Sequence, residues 1–341
     1  MASSLYDESG GNDVKRRAFC STFIGLVASP LPAWSQPARR KARVGFLAEP
    51  PADQIMLRSI VEPFRQGLRE LGYVEGENIS IEFRWAEGKH ERLTSLAAEL
   101  LRLELDVLVA AFPAPALVAK NATRTVPIVA VGVDDPVAMG LAVTMVRPGG
   151  NVTGVSSWGP ELISKRLQLL RDLVPASRRV GILMNPNAGV RTTVDARIRS
   201  WEQSLGVEIR VYEARGPNDF DGVFATLARD RIGGLVVLAD ANSYTHRARL
   251  NDLCLQHRMP SVWGGRDFLT GGGLASYQSD FPAIFRRAAT LVDKILKSEQ
   301  PGDIPFEQAT KLELIVDMRA AKTLGIAIPQ ALLLSADEVI K

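Results

Sequence analysis

From residue 42 onward, continuous apolar runs alternate with stretches whose apolar residues recur every three or four positions, and this alternation constrains the fold more than any other feature. Runs such as Asp106 to Ala111 and Pro127 to Val133 have no polar face to turn towards water. They predict central parallel strands covered on both sides. Leu57, Ile60, Val61, Phe64, Leu68 and Leu71 form one apolar helical stripe. Pro63 within it predicts a kink or a late helix start, and Gly72 a C-cap. Further strands are expected at Arg43 to Leu47, Asn78 to Trp85, Arg179 to Met184, Val207 to Tyr212, Gly233 to Ala239, Ser261 to Trp263 and Leu274 to Ser276. Helices are expected at His90 to Leu103, Pro113 to Asn121, Glu161 to Val174, Val190 to Leu205, Asp219 to Ala228, Ser243 to Gln256 and Phe281 to Lys297. The resulting class is α/β, with two doubly wound parallel-sheet lobes joined by a hinge.

A chain of 341 residues is long enough for two such lobes once a leader is set aside. Pro148-Gly149-Gly150-Asn151 is turn-rich and midway, so it is the expected first crossing between them. The expected division is residues 42–154 plus roughly 278–310 for the N-terminal lobe, and 155–277 plus roughly 311–341 for the C-terminal lobe.

Residues 1–35 read as an export signal. Lys15, Arg16 and Arg17 precede the apolar run from Ala18 to Ala33, and Ala33-Trp34-Ser35 offers small residues at the cleavage positions. The run is short and holds Pro30 and Pro32, which argues against a membrane span. Arg16-Arg17-Ala18-Phe19 fits a twin-arginine signal, so a periplasmic location is expected. The basic residues Arg39, Arg40, Lys41 and Arg43 that follow read as a solvated linker. With a net charge of +3 and no long basic run, nothing marks a nucleic-acid partner. One mature cysteine, Cys254, reads as a small buried apolar residue.

In open parallel sheets ligands bind beyond the carboxyl ends of the strands. That rule selects Glu49, then Pro113 and Ala114, then Asp134 and Asp135 from the first series. From the second it selects Asn185 and Asn187, Asp240 and Asn242, and Trp263 and Asp267. Asp240 or Asp267 would pair with an ammonium group, and Trp158, Trp263 or Tyr277 would cover an aromatic portion. Asp134, Asn187 and Asn242 equally suit helix caps, and Trp263 a half-buried core position. Catalytic signatures are lacking: His90, His246 and His257 have no metal-ligand spacing, and no phosphate loop or nucleophile elbow occurs.

Several stretches together resemble one family. They include Phe64-Arg65-Gln66-Gly67-Leu68-Arg69-Glu70-Leu71-Gly72-Tyr73, Asp135-Pro136-Val137, Arg147-Pro148-Gly149-Gly150-Asn151-Val152-Thr153-Gly154, Asn185-Pro186-Asn187 and Pro301-Gly302-Asp303-Ile304-Pro305. The chain resembles the ABC-transporter substrate-binding proteins related to the tryptophan-binding TrpX-like proteins over nearly all of residues 42–340. The resemblance implies a type I periplasmic-binding fold that hinges shut on a small molecule. It implies neither enzymatic activity nor a cofactor. It implies a monomer serving a membrane permease with its ATPase; the alternative is a ligand-sensing subunit for a membrane receptor. Relatives often carry Gly-Thr-Pro-Ala where this chain has Phe112-Pro113-Ala114-Pro115. Pro113 offers neither a hydroxyl nor an N–H, which argues against a plain amino-acid ligand.

Overall fold

The protein is described from a computed structural model that covers residues 40–157, 159–188 and 190–341. The expected leader and its cleavage site, and Trp158, lie outside the described residues.

The first sheet contains β1 (Ala42–Ala48), β2 (Ile79–Trp85), β3 (Val107–Ala111), β4 (Ile128–Val133) and β5 (Val152–Ser156). Its order is β11-β5-β4-β3-β1-β2, where β11 is the two-residue strand Glu307–Gln308, and every pairing is parallel. β3 and β4 are buried at every position, as expected of strands covered on both faces. Helices Leu93–Leu101 and Pro113–Ala122 cover one face, and Glu62–Glu70 and Phe281–Leu296 the other. Pro63 sits in the first turn of its helix, where a missing N–H costs nothing, after a π-type turn at Leu57–Val61.

The second sheet contains β6 (Arg179–Met184), β7 (Glu208–Glu213), β8 (Leu235–Val237), β9 (Ser261–Trp263), β10 (Ala275–Ser279), β12 (Leu312–Asp317) and β13 (Glu338–Ile340). The order is β13-β12-β10-β9-β8-β6-β7, with only β10 and β12 antiparallel. Leu167, Leu170, Val194 and Trp201, from helices Gly159–Leu173 and Arg191–Leu205, belong to the core on one face. Phe220, Phe224, Leu250 and Cys254 belong to the core on the other. Cys254 is buried as expected, and burial pushes its thiol up to about 12.

The first crossing is not at Pro148–Asn151. That turn leads into β5, which pairs with β4 inside the first sheet, and the chain crosses only after Ser156. Gly154 shows why this strand needs its glycine: a Cβ there would lie 1.8 Å from the Ala130 carbonyl oxygen. The chain returns after β10, whose successor helix Phe281–Leu296 packs on the first sheet, and crosses again between β11 and β12. The helix expected over Ser243 to Gln256 is two helices, Ala241–Thr245 and Arg247–Gln256, divided at His246.

Helices Glu62–Glu70 and Phe281–Leu296 approach closely at Gly67, where a Cβ would meet the Arg286 carbonyl oxygen at 2.5 Å and the Ala289 Cβ at 2.7 Å. Both neighbours are rigid, so the helices would have to part. Gly67→Ala is expected to lower unfolding stability by about 1–3 kcal/mol in urea titration. Unchanged stability would show that this crossing is loosely packed.

Candidate functional site

The carboxyl ends of the two sheets face one another across a cleft of about 470 Å³. Glu49 follows β1, Phe112 to Ala114 follow β3, and Asp134 follows β4. From the other side come Asn185 after β6, Asp240 and Ala241 after β8, and Gly264 to Phe268 after β9. Gln278 to Phe281 run along the return crossing. Parallel strands point their ends the same way, so these loops converge without further instruction.

Arg166 dominates the site. It lies on the apolar face of helix Gly159–Leu173, between Leu162 and Ile163 on one side and Leu167 and Leu170 on the other. Its side chain lines the cleft with the residue only 7% exposed, and its Nε donates to the Tyr277 carbonyl oxygen at 2.7 Å. Desolvation lowers its pKa to about 10, against the pull of the nearby Asp134 carboxylate, so it remains cationic at neutral pH. Desolvation also raises Asp134, which accepts a hydrogen bond from Ser157 Oγ at 3.0 Å. Ser279 Oγ is buried in the same wall without a hydrogen-bond partner among the described residues.

Carboxylates from both lobes complete the polar set. Glu49 is raised by burial, opposed by His90, whose Nδ1 lies 3.1 Å from Glu49 Oε1. Asp240 is raised to about 6, chiefly by desolvation, with the charge of Glu49 adding to the shift from across the cleft. Asp240 also caps helix Ala241–Thr245: its Oδ1 accepts the Ser243 N–H at 2.8 Å, and Ser243 Oγ accepts the Asp240 N–H at 2.9 Å. Asp267 is raised by burial and its carboxylate makes no hydrogen bond among the described residues.

Of the residues selected from sequence, Glu49, Pro113, Ala114, Asp134, Asn185, Asp240 and Asp267 line the cleft. Five others do not. Asp135 turns away to accept the Val137 and Ala138 N–H groups at 3.0 Å each. Asn187 is exposed in a 3-10 turn, its N–H donating to Asn185 Oδ1 at 3.0 Å. Asn242 lies within the short helix that Asp240 caps. Trp263 is completely buried, stacked on Phe268 at 5.0 Å with Nε1 donating to Ser261 Oγ. It supports the cleft from behind. Tyr277 gives the cleft only its backbone carbonyl, through Arg166, while its side chain packs into the second core. Arg166 and Ser279 escaped the sequence reading. An arginine on the buried stripe of an amphipathic helix was the available signal for the first.

The lip of the cleft is tied across the lobes. Asp53, which caps the turn after β1, accepts Tyr244 Oη at 3.0 and 3.2 Å and Arg247 Nη2 at 3.3 Å. The Arg247 guanidinium sits over the Tyr244 ring at 4.4 Å. Tyr244→Phe keeps the ring and removes both hydroxyl bonds. The open arrangement is expected to gain about tenfold or more in population, since bonds to a carboxylate carry about 1.5–3 kcal/mol. X-ray scattering from the ligand-free variant should show a larger radius of gyration; an unchanged radius would mean the tie does not hold the lobes together.

Asp240 offers a second test. Its folded value lies above the unfolded one, so the native state gains a proton there before the unfolded chain does. The stability it contributes is present in full below about pH 4 and is lost as pH rises through about 6. Asp240→Asn keeps the capping acceptor and removes the titration. In ligand-free unfolding the variant is expected to gain on the wild type by about 1–3 kcal/mol between roughly pH 4 and pH 7.5. A pH-independent difference would show an ordinary aspartate.

Two α/β lobes with a charge-bearing cleft between them make a fold of the type I periplasmic-binding kind. The sequence matches the family of ABC transporter substrate binding proteins over residues 52–340, and the chain belongs to that family, which binds ligands for transport and is not one of enzymes. A tyrosine-binding protein of Clostridioides difficile (strain R20291) is 25% identical over 264 residues, which is 77% of this chain and 75% of the relative. Among solved structures, a conserved domain protein of Vibrio cholerae matches with a TM-score of 0.82 and 24% identity, covering 88% of this chain and all of the other. An ABC domain from Streptococcus pneumoniae in complex with L-Trp matches at 0.81 with 22% identity and the same coverage.

Proposed function

We propose that this chain is the extracytoplasmic solute-capturing component of an ABC importer, and that its solute is an aromatic amino-acid-like zwitterion. The observation that carries this reading is the buried Arg166 guanidinium in a cleft that Ser279, whose hydroxyl has no partner among the described residues, also lines, and whose opposed lobes present Glu49 and Asp240. Arg166 and Ser279 would hold the carboxylate, and Glu49 and Asp240 the ammonium group. A cation between those two carboxylates removes the repulsion that each lobe otherwise imposes on the other, so binding and closure are coupled. The expectation that Pro113 disfavours an amino acid is met from the other side of the cleft, because Arg166 supplies the charge that the Pro113 loop withholds. Relatives that bind tyrosine or hold L-Trp support the ligand class. The export signal read at residues 1–35 supports the location, with a membrane permease and its ATPase as partners.

Arg166→Met preserves the length and apolar packing of the stem while removing the charge. Calorimetric titration with L-tyrosine and L-tryptophan is expected to show binding to the wild type and a loss of about thirtyfold or more in the variant. A wild type that binds neither would overturn the ligand class. Equal binding by both proteins would remove Arg166 from the carboxylate seat.

A further inference from the structure

Phe112 holds a backbone conformation of φ +76° and ψ 170°. Glycine occupies that region freely, and residues with a Cβ occupy it only at a cost in free energy. Nothing in the turn needs a phenyl ring to reverse the chain, so the packing of the ring has to offset that cost. It is fixed from several directions: edge-on against Phe281 at 5.5 Å, against Phe285 at 5.9 Å, and over Gly132, where a Cβ would come within 3.3 Å of its Cδ1. The side chain is half-buried and lines the cleft. Pro113 and Pro115 take the first and third positions of the helix that follows, so this helix start lacks two of the N–H groups that would attract an anion. The first lobe therefore meets the ligand here with a rigid apolar wall.

We propose that Phe112 is the specificity-determining residue of the cleft: its ring is the wall on which the ligand's aromatic group packs, and because its neighbours hold it in place, it limits how bulky that group can be. This rests on the aromatic amino-acid-like reading above. A ligand with one six-membered ring packs on this wall at less steric cost than an indole, which meets a ring that cannot turn aside, because its backbone and its three neighbours fix it. L-tyrosine and L-phenylalanine are thus favoured over L-tryptophan. Phe112→Gly relieves the backbone and opens the compartment, and the order reverses.

The test is calorimetric titration of the wild type, Phe112→Gly and Phe112→Leu with L-phenylalanine, L-tyrosine and L-tryptophan, with circular dichroism confirming the fold of each. The ratio of tryptophan to tyrosine affinity is expected to rise by about tenfold or more in the glycine variant. Phe112→Leu keeps bulk without the ring, and should weaken the single-ring ligands by about two- to tenfold with a smaller change in ratio. Binding that persists in all three proteins with an unaltered ratio, or a wild type that prefers tryptophan, would overturn the role of Phe112 while leaving the ligand class intact. A wild type and variants that bind none of the three would overturn both.

Discussion

A guanidinium held out of water governs the rest of the site. Arg166 retains its charge although burial opposes it, with a backbone carbonyl and Asp134, itself raised by burial, as its company. A buried charge so incompletely paired is weak support for the fold itself, since an apolar residue on that stripe would pack at lower cost. Its presence is best understood from the ligand's side. The helix that bears it is fixed by Leu167 and Leu170 in the second core, so the charge is presented without reorganisation when a carboxylate arrives. The Ser279 hydroxyl, without a partner among the described residues, would likewise find its match in the proposed ligand.

The acidic side of the cleft obeys the complementary rule. Glu49 and Asp240 stand on different lobes, and each is disfavoured as a carboxylate by burial. Asp240 loses part of that penalty to the Ser243 N–H, which makes it a cap and a cleft wall at once. The two roles are not rivals. The cap orients the carboxylate, and the same residue lines the cleft. At the lip, Asp53 couples a turn of the first lobe to Tyr244 and Arg247 of the second, away from the charge-bearing floor. In the proposed binding mode closure thus has a ligand-independent contribution at the rim and a ligand-dependent one inside, and only the second can report that a solute has been captured.

Much of this architecture was legible from the chain. β3 and β4 announce themselves because strands covered on both faces need unbroken apolar sequence. β5 does not, because Gly154 and the preceding glycine turn give Val152–Ser156 the composition of a loop, and that is why the crossing was expected too early. The rule that sites lie past strand ends found Glu49, Asp134, Asn185 and Asp240 in the cleft wall. It failed at Trp263 for a simple reason: that residue is still inside β9, where alternation turns it into the core, and the loop proper begins at Gly264. It was blind to Arg166, which reaches the cleft from a helix face, and to the Asp53–Tyr244 tie, which exists only once two distant segments meet.

The loop between β3 and helix Pro113–Ala122 sets the character of one cleft wall, while Ala116 and Ala119 of that helix are buried against the first sheet. Here the joining position carries a phenyl ring on backbone suited to glycine, and the helix opens with two prolines. The prolines withdraw N–H groups from the first lobe, and the ring adds apolar surface. In the proposed binding mode the anion is then held by the second lobe, where Arg166 stands on helix Gly159–Leu173. Division of labour between an apolar wall and a charged one follows from that exchange, and it makes the solute's orientation in the cleft a consequence of which lobe lacks N–H groups.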